Sequence, residues 1–461
     1  MPSCARIRRS GSIIRRFRKK PALHHRVEHY TVIACLSSWT LQMSNQKPLS
    51  TYPTSQSWLT QFRDADRPAA IAMLDAMLLL NEEQVSAALR TQLYTLAASR
   101  HGRRKRIALY AERELGGAPA FEVEMVPDAS GRLRRRSIGR KGPAPVRPGR
   151  GSGRVGSEGL VAFVISQAHE TRPQSFMNHP GPDSLRGKTR PAGSIGIVTD
   201  FIGSGARVRR MLDAFWAVPS VRSWVSRKWI DFKVIAATAT VAGVTNVRRH
   251  RLRPEVFFQH VAPTIRSYPD WRQGAEWLKL IEQYGPDAGR GASRYGFSGS
   301  AALVAFNYRL PNNTPALLHR TADGWHALYD GAAPDDLRRV FGLRSKEEII
   351  NQACQSTGVV ISDDLPPVDA ALVIVLSLLR GRWRAGAEVA LAERTGMAVP
   401  DIMDVLKRAL KRGFVDGSGR LTDSGQSLLA AGRRSERKRP LVATNEEPYY
   451  PLALRAPRRR I

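Results

Sequence analysis

The chain has 461 residues, of which 72 are Lys or Arg and 40 are Asp or Glu, so its formal net charge is +32. This length suffices for two or three domains, and no segment has the long apolar run of a membrane-spanning helix or a persuasive signal peptide. The three cysteines are scattered and the ten histidines form no paired motif, which excludes a disulfide framework and a CxxC or HExxH metal site. We therefore expect a cytoplasmic protein with no metal ligands of its own and no membrane partner.

The amino-terminal part is predicted to consist of a leader and a helical segment. Residues 1–53 are basic with almost no acid near their start, which predicts a disordered leader, and Met43 is an alternative start. Residues 54–102 are predicted to be a helical lead-in, since Leu74, Met77 and Leu78 recur at helical spacing. An α/β domain is expected over residues 103–358. Its insertion at residues 132–154 is rich in Arg, Pro and Gly, and is expected to be disordered or to face nucleic acid.

The most informative motif is GSIGIVTDFIGSGARVRR at residues 193–210. An apolar run ends at Asp200, and Gly203, Ser204 and Gly205 then lead into an amphipathic segment, which predicts a strand, a phosphate loop and a helix. Glycines let backbone N–H groups turn toward an anion, and the helix N-terminus favours negative charge. Asp200 is then placed to accept hydrogen bonds from sugar hydroxyls. The alternative is an ordinary strand–turn–helix connection with no ligand.

The motif resembles the ribose-phosphate loop of type I phosphoribosyltransferases, and more closely that of phosphoribosyltransferase-like proteins of bacterial anti-phage systems, whose loop runs D-F-[IV]-G-S-G. Thr199 stands where the enzymes have a first acid, and Arg207 replaces a final Thr or Ser. The resemblance implies Asp200 as the catalytic residue and a phosphoribosyl site made of Asp200, Phe201, Ile202, Gly203, Ser204, Gly205, Ala206 and Arg207. It also implies Mg²⁺ as the companion of a phosphoribosyl pyrophosphate-like ligand.

Two further segments are similar to that group. Gly156, Ser157 and Glu158 precede a helical run, and the resemblance places them on the pyrophosphate side, although an ordinary helix cap is the alternative. Asn312, Asn313 and Thr314 follow a β-prone run over residues 303–306, where ligands bind in open α/β sheets. The resemblance makes these three residues contacts for the base or substrate. A plain turn is the other interpretation.

The last third of the chain has a separate pattern, predicted to be a winged helix-turn-helix over residues 359–432. Helical segments are predicted near residues 369–379, 386–395 and 400–412, followed by a short hairpin and a final helix. Basic side chains at the end of the third helix and on the wing suit phosphate contacts, namely Lys407, Arg408, Lys411, Arg412 and Arg420. Asp401 and Asp404 lie where such helices contact bases, which argues against sequence-specific binding.

These patterns together predict an α/β phosphoribosyltransferase-like parallel-sheet domain, a C-terminal winged-helix domain of α+β class and a basic disordered tail over residues 433–461. In the resembled group such fusions accompany a reverse transcriptase and its structured RNA and DNA in retron anti-phage systems. The expected function is that of an effector acting on a phosphorylated sugar or nucleotide, with nucleic acid as a partner. The alternatives are a non-catalytic, nucleotide-sensing DNA-binding regulator and a ribonucleoprotein adaptor.

Overall fold

The computed structural model describes residues 48–99, 105–145, 157–186, 191–286, 293–322, 324–338, 340–341, 346–362, 365–379, 383 and 387–432. They fall into two compact units, the first with residues 48–267 and 271–341 and the second with residues 268–270 and 346–432. The predicted tail and residues 1–47 of the predicted leader lie outside the described residues. Within those ranges, no helix has the length and apolar character needed to cross a membrane.

The first unit begins with a short helical layer. A 3-10 turn at Leu49–Thr51 precedes α1 (Pro53–Leu59), α2 (Arg67–Asp75), β1 (Leu78–Leu80) and α3 (Glu82–Ala98). Helical structure therefore starts inside the segment that was expected to be leader. The expectation that Leu78 continues a helix is wrong, because its backbone pairs in parallel with Val304. A capping box between Asn81 and Gln84 then starts α3.

A five-stranded parallel sheet forms the centre of this unit. Its five strands are β2 (Arg106–Ala111), β5 (Phe176–Asn178), β6 (Ala192–Ile202), β7 (Asp231–Ala239) and β8 (Glu255–Val261), while β3 (Val123–Pro127), β4 (Leu133–Ser137) and β9 (Val304–Phe306) belong to two smaller sheets. The helices are α4 (Ser157–Thr171), α5 (Pro182–Arg186), α6 (Ala206–Trp216), α7 (Pro219–Ser226), α8 (Val241–Arg248), α9 (Trp271–Tyr284), α10 (Ala316–His319) and α11 (Asp335–Arg338). The main sheet has the order β5-β2-β6-β7-β8, and every neighbouring pair is parallel.

Both faces of this sheet are covered, as its almost wholly apolar strands require. On one face, buried side chains of α3 and α4 pack against those of β2, β6 and β7. On the other face, Phe215 of α6 contacts Tyr110 and Phe232, with ring centroids 5.1 and 5.7 Å apart. The predicted parallel-sheet class and the strand–helix–strand order through β6, α6 and β7 are confirmed.

Two parts of the unit differ from the expectation. The predicted run at residues 303–306 does form a strand, but β9 pairs with β1 in a separate two-stranded parallel sheet instead of joining the main one. The basic insertion was expected to be disordered or to face nucleic acid, yet its first residues form β4, which pairs antiparallel with β3. Hydrogen bonds between the two strands and the turn that joins them give these residues a regular structure. Residues 146–154 of the insertion lie outside the described residues.

The second unit contains α12 (Lys346–Thr357), α13 (Pro367–Leu378), α14 (Ala387–Thr395), α15 (Val399–Lys411) and α16 (Asp423–Gly432). Gly413, with a φ of 72°, ends the third predicted helix, and a bridge between Val415 and Leu421 closes the wing. The predicted winged-helix elements are confirmed. The unit also includes α12, so it starts before the expected boundary at residue 359.

Candidate functional site

The predicted phosphate loop lies at the carboxyl end of β6, the central strand of the main sheet. Gly205 has a φ of 76° and caps α6, a backbone conformation that favours glycine. A side chain at Gly203 would overlap the amide of Asn313. Among the described residues, none accepts a hydrogen bond from the backbone N–H groups of residues 203, 204, 205, 207 and 208. The loop and the first turn of α6 thus present a row of donors.

Helix α8 holds the loop in this orientation. The Thr240 hydroxyl donates a 2.6 Å hydrogen bond to the carbonyl of Gly203, and the Asn246 amide donates a 2.8 Å bond to the carbonyl of Ser204. Because a trans peptide directs its C=O and N–H in opposite directions, the N–H groups of Ser204 and Gly205 point away from α8. The donors are therefore oriented before any anion arrives.

Asp200, predicted to hold sugar hydroxyls, is buried and already has partners. Its Oδ2 atom lies 2.9 Å from a terminal nitrogen of Arg309 and accepts a 3.0 Å hydrogen bond from the hydroxyl of Tyr308. Asp200 is the main cause that raises the pKa of Arg309, while burial and then Asp200 raise that of the Tyr308 hydroxyl. A sugar hydroxyl can therefore reach Oδ2 only if the Arg309 contact is displaced.

A second charge network lies beside the loop and centres on Arg207. Its guanidinium is 3.1 Å from Glu112 and 3.3 Å from Glu158. The 3.1 Å pair is an ion pair by distance, but the Nε–H of Arg207 is not aimed at the oxygen, and both atoms lack a hydrogen bond. Burial raises the pKa of Glu112 to about 7, against the opposing effect of Arg207. Glu112 thus titrates near neutral pH.

The loop borders an open cleft of about 350 Å³, lined by Arg113, Glu114, Glu158, Arg207 and Asn312. One residue from each of the three predicted segments therefore lines the same cleft, namely Glu158, Arg207 and Asn312. The lining combines two guanidinium groups with two carboxylates and an amide. Such a mixture suits a ligand that carries both an anionic group and hydroxyl or amide groups.

The other predicted site residues have structural contacts. Asn313 is buried against Gly203, and its amide donates to Ser300, while the Thr314 hydroxyl donates to the carbonyl of Pro311. Phe201 contacts Phe306 in the core, with ring centroids 6.1 Å apart. Ile202 is buried and Ala206 is the first residue of α6. Ser157 begins α4, and Gly156 lies outside the described residues.

Sequence reasoning missed the partners of these residues. Glu112, Arg113 and Glu114 follow β2 directly, and β2 is the neighbour of β6, so their position after an apolar strand was a usable signal. Tyr308 and Arg309 follow β9, between the predicted strand and the predicted base segment. No local pattern pairs Arg309 with Asp200, since 109 residues separate them.

The second unit presents the predicted basic face of its winged helix. Three of the predicted cations are exposed, namely Lys411, Arg412 and Arg420. Arg412 also forms an ion pair with Asp369 at 3.0 Å, and Lys407 forms one with Asp404 at 3.3 Å. Asp416 orders the wing by accepting hydrogen bonds from the backbone N–H groups of Ser418 and Arg420. Two of the five predicted cations are therefore partly neutralised by neighbouring carboxylates.

Two family models agree with this architecture. Residues 187–330 match the model of a family described as PRTase-CE, where PRTase denotes phosphoribosyltransferase. Residues 373–456 match the model of a family described as wHTH-PRTase associated. No curated protein matches the chain significantly. A solved structure of the AQ2163 protein from Aquifex aeolicus is 12% identical, with 40% of this chain and 88% of that chain covered and a TM-score of 0.17.

Proposed function

We propose that the cleft of this phosphoribosyltransferase-like protein with a C-terminal winged helix binds a phosphorylated ribose or a nucleotide, with the phosphate on the N–H groups of residues 203–205, 207 and 208. The observation that carries the proposal is this row of donors, which have no acceptor among the described residues and are held by Thr240 and Asn246. Arg207 and Arg113 at the cleft add positive charge for a second anionic group.

The proposed chemistry is substitution at the ribose C1 atom, in which a nitrogen of a base or a water oxygen forms the new bond to C1 as the bond to the leaving pyrophosphate breaks. Asp200 is the proposed catalytic residue, because its carboxylate would hold the ribose hydroxyls once the Arg309 contact has moved. The guanidinium of Arg207 would face the leaving group, where negative charge develops. The buried Glu112 orients Arg207 from behind and is a positioning residue.

The residues present do not form a magnesium site on their own. No group of His, Cys, Asp or Glu side chains in the described ranges could hold a metal ion. Glu112, Glu158 and Asp200 each lie against a guanidinium instead. We therefore propose Mg²⁺ only as an ion held by the oxygens of a diphosphate ligand.

A negative charge introduced at position 204 tests whether the loop binds a phosphate. Ser204→Asp places a carboxylate among the donors, where the helix dipole tolerates it but a phosphate is repelled. Calorimetric titration with phosphoribosyl pyrophosphate, ribose 5-phosphate and nucleotides in Mg²⁺ should show affinity reduced about 100-fold or more, since repulsion at close range costs several kcal/mol. The control Ser204→Ala should lose at most about tenfold. Equal affinity of Ser204→Asp and wild type, or no binding by wild type, would refute the site.

A nucleotide-sensing regulator without catalysis is the second candidate. It is favoured by Asp200, whose Oδ2 atom is hydrogen-bonded to Arg309 and Tyr308, and by Thr199, which stands where the resembled enzymes have the first of two acids. Release of pyrophosphate from phosphoribosyl pyrophosphate, measured in a single turnover, separates the two functions. An enzyme should release pyrophosphate in proportion to enzyme concentration, and Asp200→Asn should stop it. A sensor should bind the ligand and return it intact.

We further propose that the chain is the effector of a retron-type anti-phage system, restrained by a reverse transcriptase with its structured RNA and DNA. The support is the pairing of a phosphoribosyltransferase-like domain with a winged helix, as in the group that its motifs resemble. Expression in a bacterium should slow growth and alter nucleotide pools, and Ser204→Asp should relieve both effects. Toxicity that survives Ser204→Asp but requires residues 360–461 would point to the regulator instead.

A further inference from the structure

The hairpin of β3 and β4 is an exposed two-stranded ribbon on the first unit. Both faces are exposed, since Met125 and Leu133 lie on one face and are 56% and 59% accessible to solvent, while Glu124 and Arg136 lie on the other face and are also exposed. Arg135 lies opposite Met125 in the register, and Arg136 lies opposite Glu124. Because successive residues of a strand point to opposite faces, Arg135 lies on one face and Arg136 on the other. The ribbon therefore carries cations on both sides.

The hairpin has fixed ends, although an isolated two-stranded ribbon is marginally stable in water. At its tip, the Asp128 carboxylate accepts backbone hydrogen bonds from Ser130 and Arg132 and forms a 2.6 Å ion pair with Arg134. The hydrogen bond from the Ser130 hydroxyl, together with these contacts, lowers the pKa of Asp128 to about 2. At its base, the buried Ser137 donates its N–H to the Ser220 hydroxyl and accepts from Arg186. The ribbon thus keeps its shape without a cover.

Ion pairs neutralise only part of the positive charge of the ribbon, although Glu124 lies opposite Arg136 in the register. Within the described part of the chain, Arg132, Arg135 and Arg136 are exposed and form no ion pair. The charge of Arg136 also contributes to lowering the pKa of Arg186, after burial, so two cations crowd the base of the ribbon. Like charges so close together repel each other, and an external polyanion would relieve that repulsion.

We propose that this hairpin binds double-stranded DNA by lying in its major groove. A two-stranded ribbon fits the width of that groove, about 12 Å in B-form DNA, whereas the major groove of an RNA duplex is too narrow. The face that carries Met125 and Leu133 would point to the floor of the groove, where these apolar side chains are suited to thymine methyl groups. The long side chains of Arg132, Arg135 and Arg136, all on or next to β4, would extend to the phosphates of the adjacent groove wall.

The test uses the full chain and the salt dependence of DNA binding. The triple variant Arg132→Gln, Arg135→Gln and Arg136→Gln is compared with a control of equal charge, made by Arg248→Gln, Arg249→Gln and Lys279→Gln at exposed positions elsewhere. Fluorescence anisotropy with a 24-base-pair duplex gives log K against log salt. Each lost phosphate contact lowers the slope by about 0.9, so the hairpin triple should lower it by up to about 2.7. The control should leave the slope within about 0.5 of wild type by the same relation.

Several results would overturn the proposal. Wild type could fail to bind the duplex, or the hairpin triple could keep the wild-type salt slope. The control could lower the slope as much as the hairpin triple does. The hairpin triple could also lose more affinity for structured RNA or for phosphatidylserine vesicles than for DNA. Circular dichroism checks that each variant is folded. If the triple variant unfolds, the single variants Arg132→Gln and Arg135→Gln are used, each with an expected slope change of about 0.9. Ligand titration of the triple variant should match wild type, which separates this test from that of the cleft.

Discussion

The raised pKa of Glu112 makes the stability of the first unit depend on pH. Its carboxyl group is 6% exposed, and burial lifts its pKa from 4.5 to about 7. Because the folded state binds the proton more tightly than the unfolded state, stability is highest below pH 4.5 and falls as the pH rises to about 7. The difference corresponds to about 3 kcal/mol above neutral pH.

The substitution Glu112→Gln removes this titration with little change in shape. The attraction between Arg207 and the carboxylate already contributes to the pKa of about 7. Losing this attraction in Glu112→Gln therefore adds no further term to the free energy of unfolding. At pH 4 the variant and the wild type should be equally stable within about 0.5 kcal/mol. At pH 8 the variant should be more stable by up to about 3 kcal/mol.

Urea denaturation followed by tryptophan fluorescence at pH 4, 6 and 8 measures this difference. Glu114→Gln is the matched control, because Glu114 lies two residues further along and is half exposed, in an ion pair with Arg210. The free energy of unfolding of Glu114→Gln relative to wild type should change less with pH than that of Glu112→Gln, since a half-exposed ion pair contributes little to stability. An equal effect of Glu112→Gln at pH 4 and pH 8, or a destabilised variant at pH 8, would show that Glu112 ionises as it does in water.

Three further predictions concern the cleft and the winged helix. When the pH is lowered from 8 to 6, affinity for a nucleotide should rise about tenfold or less, since protonation of Glu112 removes a negative charge beside the bound anion. Titration calorimetry should show that the affinity of Glu112→Gln depends less on pH. Gly203→Ala should destabilise the protein by about 1–3 kcal/mol through overlap with Asn313, and the added change Asn313→Ala should recover part of the melting temperature; no recovery would contradict this overlap. Replacing Lys411 and Arg420 with Ala should lower the salt slope of nucleic-acid binding by up to about 1.8, measured by anisotropy, and an unchanged slope would mean that the wing has another role.

The elements next to the candidate site could be predicted from the sequence because short-range patterns determine them. The apolar run before Asp200 and the glycines after it specify a strand, a tight loop and a helix start within twenty residues. The same holds for α13 to α16, where apolar residues recur at helical spacing and Gly413 ends a helix. Local sterics and burial of one helix face suffice for such predictions.

The ion pairs and hydrogen bonds of the site residues depend on contacts between residues that are distant in the sequence. Asp200 lies near the carboxyl end of β6, but its pairing with Arg309 arises because β9 joins β1 and brings residues 308 and 309 against the main sheet. Glu112 meets Arg207 because β2 and β6 are neighbours in the sheet. Asn313, which is predicted to bind a ligand, lies against Gly203 and donates a hydrogen bond to Ser300, contacts that no local pattern indicated.

By itself, the sequence determined where the strands and helices near the site lie and which residue types follow them, because hydrophobic periodicity, glycine and helix capping act over a few residues. Only the tertiary structure decided which charges neutralise one another and which remain available to a ligand. The physical reason is that the energy of an ion pair or a buried carboxylate depends on distance and on exclusion of water. For Asp200 and Glu112, both quantities are set by strands that are far apart in the chain.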